Sequence, residues 1–265
     1  MTIAIFFIGG LIIGSFLNVV VCRLELAGSL LGRSQCPHCK KKIRWYDNIP
    51  LLSFALLKTR CRDCGKKISW QYPAVEGFTG ILFALVGKFF FLPGDPTSWP
   101  AVIFYLGIFS LFMIIMAYDF RFMEIPMIAV WLGVFWTVLY YLYADWINFD
   151  AQAGIFSFKI YAGALAGFGA FLFFFLLSAG SKEKWMGMGD SYVALMAGLT
   201  VGWPDILPAL ILAFSGGAVY GIILIALKKK TMKSQVPFAP FLAVGVFLAI
   251  FLPLIFPDIT RWLWF

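Results

Sequence analysis

Two aspartates lie at the ends of long apolar stretches, where an ionisable side chain is unusual. Asp119 closes one stretch in Met116-Ala117-Tyr118-Asp119, and Asp190 opens another in Gly187-Met188-Gly189-Asp190. Acidic groups at such positions are costly and are functional candidates by default. Two carboxyls that lie close together cannot both ionise comfortably, so one keeps a proton. A pair of this kind can activate a water with one member and protonate a carbonyl oxygen with the other.

Each aspartate also has a simpler interpretation. An aspartate at a membrane surface is often solvated, and Asp190 is well placed to cap the helix that follows it. Gly187 and Gly189 lack a Cβ, so we expect the backbone there to unwind before the helix and to allow an extended peptide to approach closely.

A second group of reactive side chains consists of four cysteines. They form Cys36-Pro37-His38-Cys39 and, after twenty-one residues, Cys61-Arg62-Asp63-Cys64. Two CxxC pairs at this spacing predict a zinc site, because each turn presents two thiolates and two turns complete a tetrahedron. Two disulfides or a redox pair are the alternatives. Because the orientation predicted below puts these thiols in a reducing compartment, disulfides are the weaker interpretation. We expect a structural zinc ion that stabilises a small loop domain.

The composition predicts that these groups belong to a membrane protein. The chain has 265 residues, of which 62% are hydrophobic and only 13% are charged, whereas a soluble domain carries about 25% charged residues. A membrane-spanning helix needs about 20 apolar residues, and fewer where protein shields it. Eight stretches qualify, the sixth being short and rich in glycine, so that a seven-span arrangement of 191–227 is the alternative: 3–22, 73–92, 101–118, 126–143, 160–179, 191–202, 205–227 and 240–256.

The basic residues predict how these spans are oriented. Alternate loops, beginning with 23–72, hold eighteen of the 21 Lys and Arg residues, including Lys228, Lys229, Lys230 and Lys233. Cytoplasmic loops are enriched in such residues, so we place 23–72 in the cytoplasm and both termini outside. The third span then ends, and the sixth begins, at the cytoplasmic face, which puts Asp119 and Asp190 at similar depth.

The predicted fold is therefore an all-α polytopic membrane protein of about eight helices. It divides into a first transmembrane helix (1–22), a cytoplasmic zinc-binding domain (23–72) and a transmembrane domain carrying the aspartates (73–265). The net charge of +8 is concentrated in the insert. Anionic lipid headgroups attract such charge as well as nucleic acid does, and we expect membrane lipid, and no nucleic acid, as the partner.

The ordered set of motifs resembles the bacterial type IV prepilin peptidases, which are membrane aspartyl proteases of the GxGD type. The resemblance covers most of the chain. It includes the two CxxC pairs, Asp119 with the following Ile125-Pro126, and Gly187 to Asp190. It also includes these segments: Gly14-Ser15-Phe16-Leu17-Asn18-Val19-Val20, Asp47-Asn48-Ile49-Pro50-Leu51-Leu52-Ser53, Tyr72-Pro73-Ala74-Val75-Glu76 and Pro237-Phe238-Ala239-Pro240-Phe241-Leu242-Ala243.

The resemblance implies an activity and a location. Such enzymes cleave the short basic leader from type IV prepilin or pseudopilin precursors at the cytoplasmic face of the bacterial inner membrane. Many also N-methylate the new N-terminus with S-adenosylmethionine. Asp119 and Asp190 stand at the catalytic positions of the family, and Cys36, Cys39, Cys61 and Cys64 at its zinc positions. Met127 and Tyr192 depart from the family pattern, which bears on substrate preference.

Two other classes of function fit some of the same residues. An ion or solute transporter would use Asp119 and Asp190 as ion sites and the zinc-bearing insert as a gate. A membrane-anchored zinc module that binds nucleic acid or protein would depend on its cysteines and not on its aspartates. The residues do not indicate the oligomeric state, nor whether the precursor serves a type IV pilus, type II secretion or competence.

Overall fold

The computed structural model describes residues 1–25, 32–149, 158–229, 231 and 236–260. Within these ranges the regular structure is helical, and β pairing is limited to the isolated bridges Gln35–Lys42 and Arg60–Lys67. The predicted all-α class is thereby confirmed. Short 3₁₀ turns lie at Trp45–Asn48 and Pro96–Ser98. The α-helices are α1 (Thr2–Glu25), α2 (Leu52–Leu56), α3 (Gln71–Phe89), α4 (Trp99–Phe122), α5 (Met127–Ile147), α6 (Lys159–Ser181), α7 (Met188–Val201), α8 (Ile206–Ala226), α9 (Ala239–Ile255) and α10 (Pro257–Thr260).

Each of the eight predicted spans coincides with one of these helices, from α1 and α3 through to α9. Five stretches of the described chain are long and apolar enough to cross a membrane: Thr2–Glu25, Pro96–Phe122, Met127–Ile147, Lys159–Ser181 and Ile206–Ala226. The α9 helix is apolar but has 17 residues, and α7 has 14. The multi-pass character is clear, while the count of eight crossings stays a prediction. Lys230, Lys233 and Arg261, which contribute to the predicted orientation, lie outside the described residues.

The chain forms two compact units, Met1–Ala117 and Tyr118–Phe265, with the boundary inside α4. In the first unit α1 packs directly on α3. A Cβ added to Gly10 would lie 2.7 Å from the backbone oxygen of Thr79 and 2.8 Å from Gly80 Cα, so only glycine permits this approach. Small residues at such contacts are typical of membrane helix pairs. Asn18, which is buried, donates a hydrogen bond to the carbonyl oxygen of Tyr72 at 3.1 Å.

In the second unit the short helix α7 is surrounded by α5, α6 and α9. Its residues from Val193 to Thr200 are almost all buried. The contact with α6 is closest at Gly198, where an added Cβ would lie 2.6 Å from Gly167 Cα. Tyr141 on α5 donates from its hydroxyl to the carbonyl oxygen of Thr200 at 2.7 Å. Because protein covers α7 on most sides, it does not need the length or the hydropathy of a lipid-facing helix.

Candidate active site and metal centre

The four cysteines converge on one point of the insert. The Sγ atoms of Cys36, Cys39, Cys61 and Cys64 all lie within 4.8 Å of one another, and those of Cys36 and Cys64 are 3.9 Å apart. Four thiolates about 2.3 Å from a tetrahedral zinc ion would be about 3.8 Å apart. The four side chains are therefore spaced to hold a metal ion.

The two CxxC turns repeat the same backbone conformation. Cys36 N–H donates to Lys41 O at 3.0 Å, and Cys61 N–H donates to Lys66 O at 2.9 Å. Lys40 and Gly65, each four residues after the first cysteine of its turn, both have positive φ angles, of 58° and 67°. This repetition presents the two pairs of thiols in the same way, as a four-thiolate site requires.

Hydrogen bonds prepare the first cysteine for metal binding. Burial opposes ionisation of Cys36, but the backbone N–H groups of Cys39 and His38 donate to its sulfur and favour the thiolate. The pKa of Cys36 consequently falls to about 7. Since the thiolate is the form that binds metal, this side chain can coordinate an ion near neutral pH.

Ion pairs link the remaining parts of the insert. Arg62 donates to both carboxylate oxygens of Asp47, from Nε at 3.0 Å and from Nη2 at 2.7 Å. The Arg62 hydrogen bonds hold the pKa of Asp47 below its usual range. Lys41 pairs with Asp63 at 3.3 Å, which connects the two cysteine turns. Both acidic residues within 32–70 are therefore paired with a basic residue.

The insert is joined to the helices of the first unit through Glu76. This carboxylate on α3 is buried and accepts a hydrogen bond from Leu51 N–H at 2.9 Å. It also accepts one from the side chain of Ser15 on α1. Glu76 belongs to a motif that the sequence resemblance identifies, but its role as a junction of three segments depends on contacts far apart in sequence.

Asp119 lies near the end of α4, with only 5% of its surface exposed. The backbone N–H of Ala239, the first residue of α9, donates to its carboxyl group. Unpaired N–H groups at a helix N-terminus favour a negative charge nearby. The other oxygen, Oδ2, is buried and has no hydrogen-bond partner in the described part of the chain. Asp119 thus has one oxygen held by a backbone N–H and one without a hydrogen-bond partner among the described residues.

Asp190 is the third residue of α7, and its carboxyl group accepts a hydrogen bond from the N–H of Gly187, the residue that caps the helix. This is the back-bond that an acidic residue makes at this position of a helix. The group also lies close enough to Asp119 for the two carboxyls to interact electrostatically. The helix begins before Asp190, so Gly187 and not Asp190 is the N-cap residue. The role of the two aspartates as a catalytic pair stays a prediction.

The two glycines beside Asp190 have different environments. Gly187 has an extended backbone, with φ −70° and ψ 149°, as expected for unwound chain before the helix. Gly189 lies inside the first turn of α7, where an added Cβ would be 2.7 Å from Ile125 Cγ1. The absence of a side chain at 189 accommodates Ile125, a contact with a segment more than sixty residues away that the sequence alone did not indicate.

Tyr192 is one of the two departures from the family pattern. It lies two residues after Asp190 on α7 and packs among aromatic rings. Its ring centroid is 5.9 Å from that of Trp131 on α5 and 5.5 Å from that of Phe171 on α6. Trp131 is half exposed. Aromatic side chains therefore line this side of the helix that carries Asp190.

Comparisons with known proteins cover both halves of the chain. Residues 8–90 match the family model of the bacterial peptidase A24 N-terminal domain, and residues 105–222 match that of the type IV leader peptidase family. A prepilin leader peptidase/N-methyltransferase of Bacillus subtilis is 33% identical over 93% of this chain and 93% of its own length. One of Dickeya chrysanthemi is 30% identical, over 89% of this chain and 87% of its own.

A third relative, from Escherichia coli, is named as a type 4 prepilin-like proteins leader peptide-processing enzyme. It is 32% identical over 94% of this chain and 93% of its own length. No solved structure matches the chain. The relatives give no support to the transporter hypothesis.

Proposed function

Because the chain belongs to the type IV leader peptidase family, we propose that Asp119 and Asp190 are the catalytic pair with which it removes leader peptides from prepilin-like precursors. Two observations carry the assignment: Oδ2 of Asp119 is buried with no hydrogen-bond partner among the described residues, and the carboxyl groups of Asp119 and Asp190 interact electrostatically. An oxygen in this state is poised to hold a water or a shared proton, because a buried polar atom without a partner is otherwise costly.

Each carboxyl has one oxygen held by a backbone N–H, from Ala239 or from Gly187. We assign proton transfer to the other oxygen of each carboxyl. The ionised member takes a proton from a water while that water attacks the scissile carbonyl carbon, and the protonated member gives its proton to the carbonyl oxygen. As the tetrahedral intermediate collapses, one of its hydroxyl groups returns a proton to the ionised carboxylate, the C–N bond breaks, and the leaving amine takes the proton of the other carboxyl. The backbone donors keep both carboxyls oriented throughout.

The protein is a multi-pass protein of the bacterial inner membrane, and we place the insert and both aspartates on its cytoplasmic side. The excess of Lys and Arg in alternate loops supports this orientation. The substrate's apolar helix would then dock laterally among the spans, with its leader in the cytoplasm. The scissile bond would lie at the level of the headgroups, beside Asp119 and Asp190.

The names of the relatives support a second activity, N-methylation of the new N-terminus. S-adenosylmethionine, which supplies a methyl group to an amine, is the donor that the resemblance implies. Its sulfonium is positively charged, and a free carboxylate would suit it. The acidic residues Asp47 and Asp63 of the insert do not fit that role, because they already pair with Arg62 and Lys41.

Substitution of each aspartate tests the catalytic assignment. We expect Asp119→Asn and Asp190→Asn each to lower the rate of precursor cleavage by about a hundredfold or more, since amides do not transfer these protons. The measurement is cleavage of a pilin-like precursor by purified protein in lipid. Asp95→Asn is the matched control. Asp95 accepts hydrogen bonds from the backbone N–H and the hydroxyl of Thr97 through the same oxygen, Oδ1, and asparagine keeps one such oxygen. Wild-type cleavage by either active-site variant would disprove the assignment.

We propose further that the metal held by the four cysteines is zinc and that its role is structural. The purified protein is expected to contain about one zinc ion per chain. Cys36→Ser and Cys61→Ser should lose the ion, whereas Cys22→Ser should retain it, because Cys22 lies outside the cluster and contacts Tyr72 Oη at 3.6 Å. Elemental analysis measures the content. A full complement of zinc in Cys36→Ser would exclude the four-cysteine site.

A further inference from the structure

The short helix α2 of the insert has an apolar face that the rest of the protein leaves uncovered. Leu52, Ala55 and Leu56 are exposed, with 51% of the surface of Leu52 and 70% of that of Leu56 accessible. Positions spaced by three and four residues share one face of a helix. The opposite side is engaged, since Ser53 is buried and donates to Tyr46 O at 2.9 Å. Phe54 packs on Trp70 with ring centroids 4.9 Å apart.

The position of α2 along the membrane helices indicates its depth. Leu51, directly before α2, donates its N–H to Glu76, and Glu76 is five residues inside α3, or about 7.5 Å along its axis. A Cβ on Gly77 would lie 3.9 Å from the Leu51 side chain. The beginning of α2 is therefore held beside α3, at a level more than one helical turn inside the N-terminal end of α3.

A second contact relates this level to a helix that meets the criteria for a membrane span. Gln71, the first residue of α3, donates from its side chain to Ala117 O at 3.2 Å. Ala117 lies five residues before the end of α4, which is again about 7.5 Å inside that helix. The start of α3 is thus level with the interior of α4. Glu76, and Leu51 beside it, lie deeper than this level, further along α3 from its first residue.

The basic and aromatic residues around α2 are of the types that occur at a membrane surface. Lys58 and Arg60 follow α2 directly, and Lys66 and Lys67 are also exposed. Trp70, at the entry to α3, is 71% exposed. Amphipathic helices at a membrane surface bury their apolar face about 5–10 Å into the boundary between headgroups and acyl chains, with basic residues at the anionic headgroups and tryptophan at the interface.

We infer that α2 is an interfacial helix, with Leu52 and Leu56 inserted among the lipid acyl chains and the neighbouring basic side chains at anionic headgroups. The insert is then held on the bilayer by lipid contact as well as by its two chain connections. This arrangement fixes the metal-bearing turns at the membrane surface, and it is independent of which residues perform catalysis.

Photo-crosslinking tests this inference on the full-length protein in nanodiscs of phosphatidylglycerol and phosphatidylcholine. A diazirine amino acid replaces Leu56 in one variant, Leu176 of α6 in a second and Lys42 in a third. Leu176 is 60% exposed on a predicted span and reports contact with lipid. Lys42 is exposed on the first cysteine turn, and the proposal does not place it at the headgroups. We expect phospholipid adducts at position 56 with a yield close to that at 176 and several-fold above that at 42.

Other products would overturn the inference. A yield at 56 no higher than at 42 would place α2 in water. Crosslinking of position 56 to a second copy of the chain, or only to added precursor, would assign the face to a protein partner.

A second measurement does not depend on the probe. Leu52→Ser with Leu56→Ser should increase proteolytic cleavage of the insert in vesicles several-fold while the zinc content stays unchanged. Equal cleavage of variant and wild type would argue against lipid contact.

Discussion

At the residue scale, the two aspartates are held by the same kind of hydrogen bond. Each accepts a hydrogen bond from a backbone N–H at the beginning of a helix, α9 for Asp119 and α7 for Asp190. Backbone donors cannot rotate away, and the positive end of a helix favours a carboxylate. Backbone hydrogen bonds therefore orient both carboxyl groups.

The contact between Gly189 and Ile125 gives a prediction at this scale. Gly189→Ala would place a methyl group 2.7 Å from Ile125 Cγ1, and Ile125 is β-branched and has little freedom to move. Overpacking of this kind costs about 1–3 kcal/mol of stability. We expect a lower unfolding temperature and slower precursor cleavage, because the first turn of α7 carries Asp190.

Gly187→Ala is the matched comparison for this substitution. A Cβ at 187 meets its nearest atom, Oδ2 of Asp190, at 3.7 Å, and the extended backbone there suits alanine. We expect a markedly smaller loss of thermal stability than in Gly189→Ala. Equal unfolding temperatures for the two variants would show that the packing against Ile125 does not matter.

At the scale of elements, Glu76 is the point where α1, α3 and the loop before α2 meet. Leu51 has an unusual backbone, with φ 58° and ψ −47°, and its N–H is satisfied by the carboxylate of Glu76. A buried donor without an acceptor is costly. The carboxylate therefore stabilises a strained turn and fixes the insert relative to the helices of its unit.

Removal of this carboxylate should loosen the insert. We expect Glu76→Ala to destabilise the junction by about 1–3 kcal/mol, since Leu51 N–H and the Ser15 side chain lose their acceptor. Glu76→Gln, which keeps an oxygen acceptor, should have a smaller effect. Hydrogen exchange at the Leu51 amide, measured by mass spectrometry of a peptide covering α2, reports the loosening. Unchanged exchange in Glu76→Ala would mean that Leu51 is held by other contacts.

At the scale of the whole molecule, the number of membrane crossings determines on which side each loop lies. The described chain has five stretches that qualify as spans by length and composition, while α3, α7 and α9 do not reach the same criteria. Protein contacts can compensate in α7, whose surface is largely buried. Eight crossings would return the chain's last residue to the side of its first.

Topology reporters distinguish the alternatives. With eight crossings, a reporter fused after Phe265 should be active outside the cytoplasm, and one inserted after Lys184, between α6 and α7, should be active inside it. The basic residues of alternate loops favour this orientation. If the start of the chain lies outside, a cytoplasmic reporter at its end would show an odd number of crossings, so that one or all three of α3, α7 and α9 do not span the bilayer.

Sequence alone indicated the helical membrane class, the four-cysteine cluster and the presence of a helix at each of the eight predicted spans. These follow from local properties, since hydropathy, the CxxC spacing and a run of apolar residues are each visible within a short window. The pairing of Asp119 with Asp190 was also predicted, because topology alone places both residues at one membrane face.

The groups that hold these residues are visible only in the three-dimensional packing. The Ala239 N–H on Asp119, the Ile125 contact with Gly189 and the Leu51 hydrogen bond to Glu76 join residues 25 to 120 positions apart. Such contacts depend on how the helices pack, and packing geometry does not follow from periodicity or composition. The membrane contact that we infer for α2 was hidden for the same reason, since a five-residue apolar segment has no hydropathy signal that separates a membrane surface from a protein core.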